Sequence, residues 1–325
     1  MFSRSIANDL FLCAGIFVVA YYVFRIAFMF VDLFLKPGKS LTDYGAGKGD
    51  WAVITGATDG IGAALAKVFA QRKLNLFLIS RSQEKLETEK TKLEGLGVSV
   101  KILPVDFSKA TEADWNSIRN ALKPLPVSIL VNCVGISHEF PKPFEEEDEE
   151  RCQTIIDLNV MALTKMTRIV IPKMKSRKNG LIINMGSFAS LIPSPFLAMY
   201  SGSKAFVKSF STALGAELKP HGILVQHINT AYVVSKMSKV RNPSWTTPMP
   251  KDYAVSMVEH LSNGCGSVDP FTSVPFVSHA LMNFVIENCL PRIFWLDYNY
   301  NMLSGIRKRA LNKAAKEKAA AIKSQ

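Results

Sequence analysis

The longest apolar stretch of the chain lies near its start. Leu10 to Phe24 (LFLCAGIFVVAYYVF) carries no charge, and beyond Arg25 the apolar character resumes as far as Leu35, broken only by Asp32. A helix needs roughly 20 residues to cross a bilayer, so the run from Leu10 to Leu35 predicts a membrane-spanning helix. Arg25 and Asp32 lie seven apart and share one helical face, where they either pair or snorkel toward an interface. A monotopic hairpin or interfacial helix is the rival reading. A cleaved signal peptide fits poorly, because no small-residue cleavage site follows the apolar core. Pro37-Gly38 and the glycines Gly45, Gly47 and Gly49 then predict a linker.

From Trp51 the pattern changes to short apolar runs separated by helical periodicity. WAVIT, LNLFLIS, VSVKILPV, VSILVN, LIINM and ILVQHIN read as strands. Continuously apolar strands alternating with helices predict an α/β fold, a doubly wound, mostly parallel Rossmann-type sheet covered on both faces. A further apolar stretch, Pro270 to Leu296, contains only Glu287 and Arg292 as charges. It predicts a second span, a re-entrant segment, a membrane-resting helix or a helix covering the core.

Composition refines this outline. With 48% hydrophobic and 20% charged residues the chain is not disordered, and a mean hydropathy of +0.13 adds a membrane contribution to a globular domain. The formal net charge is +12, half of it from Arg307, Lys308, Arg309, Lys313, Lys316, Lys318 and Lys323 set against the single acid Glu317. That tail is either solvated or lies on anionic lipid headgroups. No nucleic-acid-binding motif is present, which discounts that partner. The five cysteines, Cys13, Cys133, Cys152, Cys265 and Cys289, are odd in number and widely spaced, so neither a disulfide framework nor a metal site is expected. The chain has no usable N-x-[ST] sequon, since Asn242 precedes Pro243. Lys36, Lys39 and Lys48 follow the apolar segment, which places the downstream domain in the cytosol by the positive-inside rule.

The chemistry concentrates in two places. WAVIT runs into Thr55-Gly56-Ala57-Thr58-Asp59-Gly60-Ile61-Gly62 and then into a helical pattern. Strand, glycine-rich turn and helix hold a pyrophosphate at a helix N-terminus. Gly56 permits the turn, Gly60 lets backbone approach phosphate, and Gly62 lets the helix pack on the sheet. After the second strand stands Arg81, where an NAD site usually has an acid; a 2′-phosphate suits it, so NADPH is favoured. Farther on, Tyr200 and Lys204 are i, i+4 and share a helical face. A tyrosine titrates near about 10, and a neighbouring cation lowers that value toward useful acid–base chemistry. Ser187, at the end of LIINM, is placed to polarise a carbonyl.

These residues resemble the short-chain dehydrogenase/reductase family from about Gly49 to Ser235. TGATDGIG resembles its cofactor motif, and Asn132-Cys133-Val134-Gly135 its N-N-A-G motif with the second position changed. Asn159, Ser187, Tyr200 and Lys204 follow its catalytic tetrad in order and spacing. The resemblance implies that Tyr200 donates a proton to a carbonyl oxygen that receives hydride at its carbon. It also implies that Lys204 contacts the nicotinamide ribose and that Asn159 holds a water leading to solvent. Gly56, Thr58, Asp59, Gly60, Ile61, Gly62, Arg81, Asp106, Asn132, Gly135, Tyr200, Lys204, Val233 and Ser235 are implied cofactor contacts, with Asp106 at the adenine. The chain departs from the family at Thr230-Ala231, which replaces a Pro-Gly pair, and at Asp59, where many NADPH enzymes have a basic residue.

The apolar segments, NCVG and AYVVSKM resemble the microsomal very-long-chain 3-oxoacyl-CoA reductases of the 17β-hydroxysteroid dehydrogenase branch. That implies NADPH-dependent reduction of long-chain 3-oxoacyl-CoA in fatty-acid elongation at the endoplasmic reticulum membrane, beside other elongation-cycle enzymes. Lys236, Lys239 and Arg241 either meet CoA phosphates or are solvated. A ketosteroid reductase with the same tetrad and a non-catalytic, membrane-tethered NADPH-binding scaffold are the alternatives. The expected organisation is an anchor and linker over 1–48, the reductase domain over 49–265, and an apolar segment with basic tail over 266–325, the apolar segment standing where soluble relatives carry a final strand.

Overall fold

The computed structural model of the protein describes residues 4–323; the side chains of Lys318 and Lys323, part of the charge pattern above, lie outside the described residues. Helix α1 spans Arg4–Phe30 and continues as a π-turn over Val31–Leu35. There follow β1 (Trp51–Thr55), α2 (Gly60–Gln71), β2 (Asn75–Ser80), α3 (Gln83–Glu94), β3 (Val100–Pro104), α4 (Glu112–Leu122) and β4 (Val127–Asn132). The second half comprises α5 (Glu149–Ile156), α6 (Ala162–Arg177), β5 (Gly180–Met185), α7 (Ala198–Leu218), β6 (Ile223–Ile228), α8 (Pro250–Glu259), β7 (Thr272–Ser273), α9 (Val277–Asn288) and α10 (Arg292–Lys323).

All seven strands are parallel, in the order β3-β2-β1-β4-β5-β6-β7. The order reverses between β1 and β4, and ligands of open α/β sheets bind at such a switch point, outside the carboxyl ends of the strands. The central strands β1, β2, β4 and β5 are mostly apolar because their side chains alternate between two buried faces. Ala52, Ile54, Leu76, Leu78, Ile129 and Val131 enter one core. Their neighbours Trp51, Val53, Phe77, Ile79 and Leu130 enter the other. Each such side chain contributes about 1.5–3 kcal/mol by leaving water. Helix starts follow local capping chemistry: Asp59 caps α2, Thr111 and Asp114 form a capping box on α4, and Asp148 caps α5.

Ala7–Leu35 is long and apolar enough to cross a membrane, with mean hydropathy 2.1, and its upper part is exposed from Leu10 to Phe24, apart from a half-buried Tyr22. The lower end differs from expectation. Met29 and Leu33 are buried against Cys265, Val274 and Ala280. Arg25 and Asp32 neither pair with each other nor snorkel. Arg25 meets Asn288 and Glu287 on α9, the latter at 3.4 Å, and the Asp32 carboxylate accepts the N–H groups of Gly264 and Cys265, both at 3.1 Å. The last turns of the apolar run are therefore docked on the domain.

The expected linker is a packed strap. Gly38 N–H donates to Glu259 O at 3.0 Å and Lys39 N–H to Leu261 O at 2.8 Å, while Leu41 and Tyr44 are buried. At the other end, β7 pairs with β6, so the sheet continues past the boundary expected at Cys265 and retains a final strand. Of the readings open for 270–296, the structure takes the core-covering one for α9, which buries Ser278, His279, Ala280 and Asn283. Its twelve residues are too short for a span. Helix α10 lies on the domain through Leu303 and pairs Arg307 with Glu146.

Candidate active site

The cofactor cradle starts at Thr55, the last residue of β1. Its buried Oγ1 accepts the N–H groups of Cys133 at 3.1 Å and Val134 at 3.2 Å, which ties the loop after β4 to the loop after β1. Gly56 has φ +68°, and a Cβ there would stand 3.0 Å from Val134 Cα. A Cβ at Gly62 would press onto the Gly56 carbonyl. Only glycine fits these two positions, and the result is an open turn ending on the N-terminus of α2, which suits a pyrophosphate. Asp59 accepts Gly60 N–H at 2.8 Å and pairs with Lys236 at 2.9 Å, so the acid in the loop is neutralised from the segment after β6. Ser235 lies against the same loop, 3.7 Å from where a Gly60 Cβ would be, next to the buried Val233.

Thr58 hydrogen-bonds Ser80 at the end of β2 over 2.8 Å. Arg81 follows there, exposed. Asp106 is exposed after β3 and accepts from the backbone and hydroxyl of Ser108 at 3.0 and 2.7 Å. Ile61 packs against the core. Asn132 is buried, with its amide donating to Asn184 at 2.8 Å and Thr167 at 3.0 Å, so its side chain joins strands together beneath the cradle. Lys239 bonds the Glu139 carbonyl and Arg241 is exposed.

The tetrad residues come from three elements, since Tyr200 and Lys204 share α7. Asn159 sits in a π-turn, Asp157–Met161, between α5 and α6. Single π-turns re-aim side chains and recur at functional sites. Its amide is engaged with both backbone groups of Ile136, at 2.8 and 3.0 Å, and with Ser203 Oγ at 2.9 Å. Lys204 is buried and donates to Met185 O at 2.8 Å. Gly135 separates Asn159 and Lys204: a Cβ there would lie 3.0 Å from Asn159 Oδ1 and 3.8 Å from Lys204 Nζ. Ser187 opens the turn after β5, where its Oγ accepts the Ala189 N–H at 3.2 Å, and it acts to lower the Tyr200 pKa. The Lys204 ammonium is 5.8 Å from the Tyr200 ring centroid.

The electrostatics differ from the expectation that Lys204 lowers the Tyr200 pKa. Burial pushes the Tyr200 phenol up, and Ser187 only partly offsets it. Burial likewise brings Lys204 down to about 8 and raises the neighbouring Cys133 thiol to about 11. The charged forms are desolvated, and the Lys204 ammonium is turned to a carbonyl rather than to the phenol.

Two histidines beside the site escaped the sequence reading. His138 is buried three residues past Gly135, between Glu147 and the Tyr200 backbone N–H. His279, on α9, donates to Thr246 O at 3.1 Å and packs on Phe188 and Tyr253; burial lowers it to about 4. Thr230, one of the departures from the family pattern, accepts the Tyr253 hydroxyl at 2.9 Å. A lone histidine in a loop or an apolar helix carries no periodicity that marks it in advance.

With this geometry in view, the family model for short chain dehydrogenases matches residues 50–245. The chain belongs to the short-chain dehydrogenase family. It is an NAD(P)-dependent oxidoreductase of that family, as relatives and fold agree. It is 40% identical over 321 residues to the very-long-chain 3-oxoacyl-CoA reductase of Mycosarcoma maydis, covering 96% of this chain and 92% of that one. The protein of the same name from Kluyveromyces lactis is 41% identical over 312 residues, with 93% and 90% covered. Among solved structures, 3-ketoacyl-(acyl-carrier-protein) reductase from Brucella melitensis, complexed with NADH, superposes with TM-score 0.61 at 27% identity, over 70% of this chain and 96% of that one. As a member of this family the chain takes a nicotinamide cofactor.

Proposed function

We propose that the protein reduces the 3-oxo group of long-chain or very-long-chain 3-oxoacyl-CoA with NADPH, from an anchored position at the endoplasmic reticulum membrane with the catalytic domain in the cytosol. The observation that carries this reading is the match, at about 40% identity and over nine-tenths of both chains, to reductases of that name.

NADPH supplies the hydride when bound. Gly56, Gly60 and Gly62 give its pyrophosphate backbone access at the start of α2. Arg81 would hold the 2′-phosphate and Asp106 the adenine, while Lys204 would hold the nicotinamide ribose. Val233 and Ser235 border the nicotinamide end. Ser187 donates to the substrate carbonyl and polarises it. Tyr200, whose phenol is pushed further up by burial, gives its proton to the oxygen as hydride reaches the carbon. Lys204 holds positive charge beside the phenolate so formed, and Asn159 orients the Ile136–Ser203 side of the site. The apolar surface of α1 suits an acyl chain that arrives in lipid, and the exposed basic residues of α10 suit anionic headgroups.

Purified protein should consume NADPH with long-chain 3-oxoacyl-CoA and not with oestrone. Turnover of oestrone alone would replace the acyl-CoA reading by a ketosteroid one. Binding of NADPH without turnover of either would leave a tethered cofactor-binding protein.

A further inference from the structure

Helix α7 carries Tyr200 and Lys204, and its start lacks the usual cap. The first four N–H groups of a helix have no intrahelical partner. At α7 the N-cap is Leu197, which makes no side-chain cap hydrogen bond, so Tyr200, in the first turn, presents one of these orphan donors. It donates to His138 Nε2 at 3.4 Å.

The other ring nitrogen of His138 faces the Glu147 carboxylate, and both side chains are only 2% exposed. A carboxylate only accepts, so Nδ1 carries the proton and Nε2 of the neutral ring keeps its lone pair for Tyr200. Burial alone would raise Glu147, but His138 and Lys142 together hold it below the usual carboxylate range. Lys142 stands 3.3 Å from Glu147, and its own N–H donates to Phe196 O at 3.0 Å. The loop 138–147 is thus fastened to the segment 196–200 by backbone and by charge. A leucine would fill the same space without burying a polar pair, which is costly unless its hydrogen bonds are made.

We propose that His138 is a positioning residue for Tyr200: oriented by Glu147, it caps the first turn of α7 and thereby sets the phenol against Ser187. Ser187 stands on the turn after β5, on a different element, so the Ser187–Tyr200 geometry depends on where the first turn of α7 is held. This rests on Tyr200 being the acid of the proposed reaction. A displacement of about 1 Å at a reacting group costs on the order of 100-fold in rate.

The test compares the full-length protein with His138→Leu, His138→Gln and Glu147→Gln. The kinetics follow NADPH oxidation with long-chain 3-oxoacyl-CoA, NADPH affinity is read by fluorescence, and exchange of the Tyr200 amide is read by hydrogen–deuterium exchange. His138→Leu should lower kcat by about tenfold or more while NADPH affinity and KM stay within about twofold, and the Tyr200 amide should exchange faster. His138→Gln keeps an acceptor near the Nε2 position and should recover most of kcat and of the protection. Glu147→Gln should fall between them, because an amide also donates to Nδ1 and releases the tautomer; it carries the test if His138→Leu does not accumulate. Unchanged kcat and exchange in His138→Leu, or His138→Gln as impaired as His138→Leu, would overturn the proposal. If the unmodified protein does not turn over the acyl-CoA, the substrate reading falls, and amide exchange still decides the role of His138.

Discussion

At the ends of β1 to β3 the site is shaped by backbone. Gly56 turns where a side chain would strike Val134, Gly62 touches Gly56, and Arg81 and Asp106 stand exposed at consecutive strand ends. At the ends of β4 to β7 it is shaped by side chains from distant segments. Asn159 clamps Ile136, His138 reaches Tyr200, and His279 reaches from α9 to the Thr246 carbonyl. The first arrangement, the proposed cofactor side, is built largely from a short contiguous motif. The second, the proposed substrate side, is assembled from segments far apart in the chain, so function there is argued from the site and not from the fold.

The sharpest way to break this comparison is at the junction of the two regions. Tyr200→Phe removes the proton donor and nothing of the cradle. Turnover with 3-oxoacyl-CoA should fall by about 10²–10⁴-fold with NADPH affinity unchanged; surviving turnover would mean that the acid is another group. Within the first region, Arg81→Ala should weaken NADPH by about 10–100-fold, the worth of a charged hydrogen bond, and leave NADH unaffected in the same binding titration. Equal losses for both cofactors would remove Arg81 from the 2′-phosphate.

The second region should be the more sensitive to acid. His227, on β6, is buried with its Nε2 unpartnered, and burial lowers it to about 3; His279 stands at about 4. An unfolded histidine titrates near about 6.5. As pH falls from there toward these values the unfolded chain binds protons that the folded one does not, so stability declines. The loss approaches about 1.4 kcal/mol per pH unit for each histidine. Thermal melts between pH 7 and pH 5 should show it, with His227→Gln reducing the slope by about one proton; an identical slope in that variant would place the sensitivity elsewhere. In the cradle itself, Gly62→Ala would press a Cβ onto the Gly56 carbonyl oxygen, and this overpacking against backbone should cost about 3 kcal/mol or more. Loss of NADPH affinity at near-native melting temperature would locate the strain in the cradle, whereas a lowered melting temperature with full affinity would locate it in α2 packing.

How far the molecule was legible beforehand follows the same division. Strands β1 to β6 showed because they are mostly apolar, the glycine-rich turn because it stands between a strand and a helical pattern, and the Tyr200–Lys204 pair because its members are one helical turn apart. The docking of Arg25 and Asp32 did not show. Their seven-residue spacing suggested a pair on one helix, while their partners, Glu287 and the Gly264–Cys265 backbone, are more than two hundred residues away. The linker reading at Pro37–Lys48 took glycine content for looseness, although those backbone groups pair with Glu259 and Leu261.

The sequence by itself determined the α/β sheet, the apolar N-terminal helix, the glycine-rich turn before α2 and the shared helical face of Tyr200 and Lys204, because each is a local pattern of polarity, turn chemistry or helical spacing. Only the tertiary structure decided that the lower end of α1 belongs to the domain, that β7 closes the sheet beyond Cys265, and that His138 stands against the catalytic helix. It also decided the direction of the Tyr200 shift, since desolvation depends on everything packed around a group and not on its neighbours along the chain.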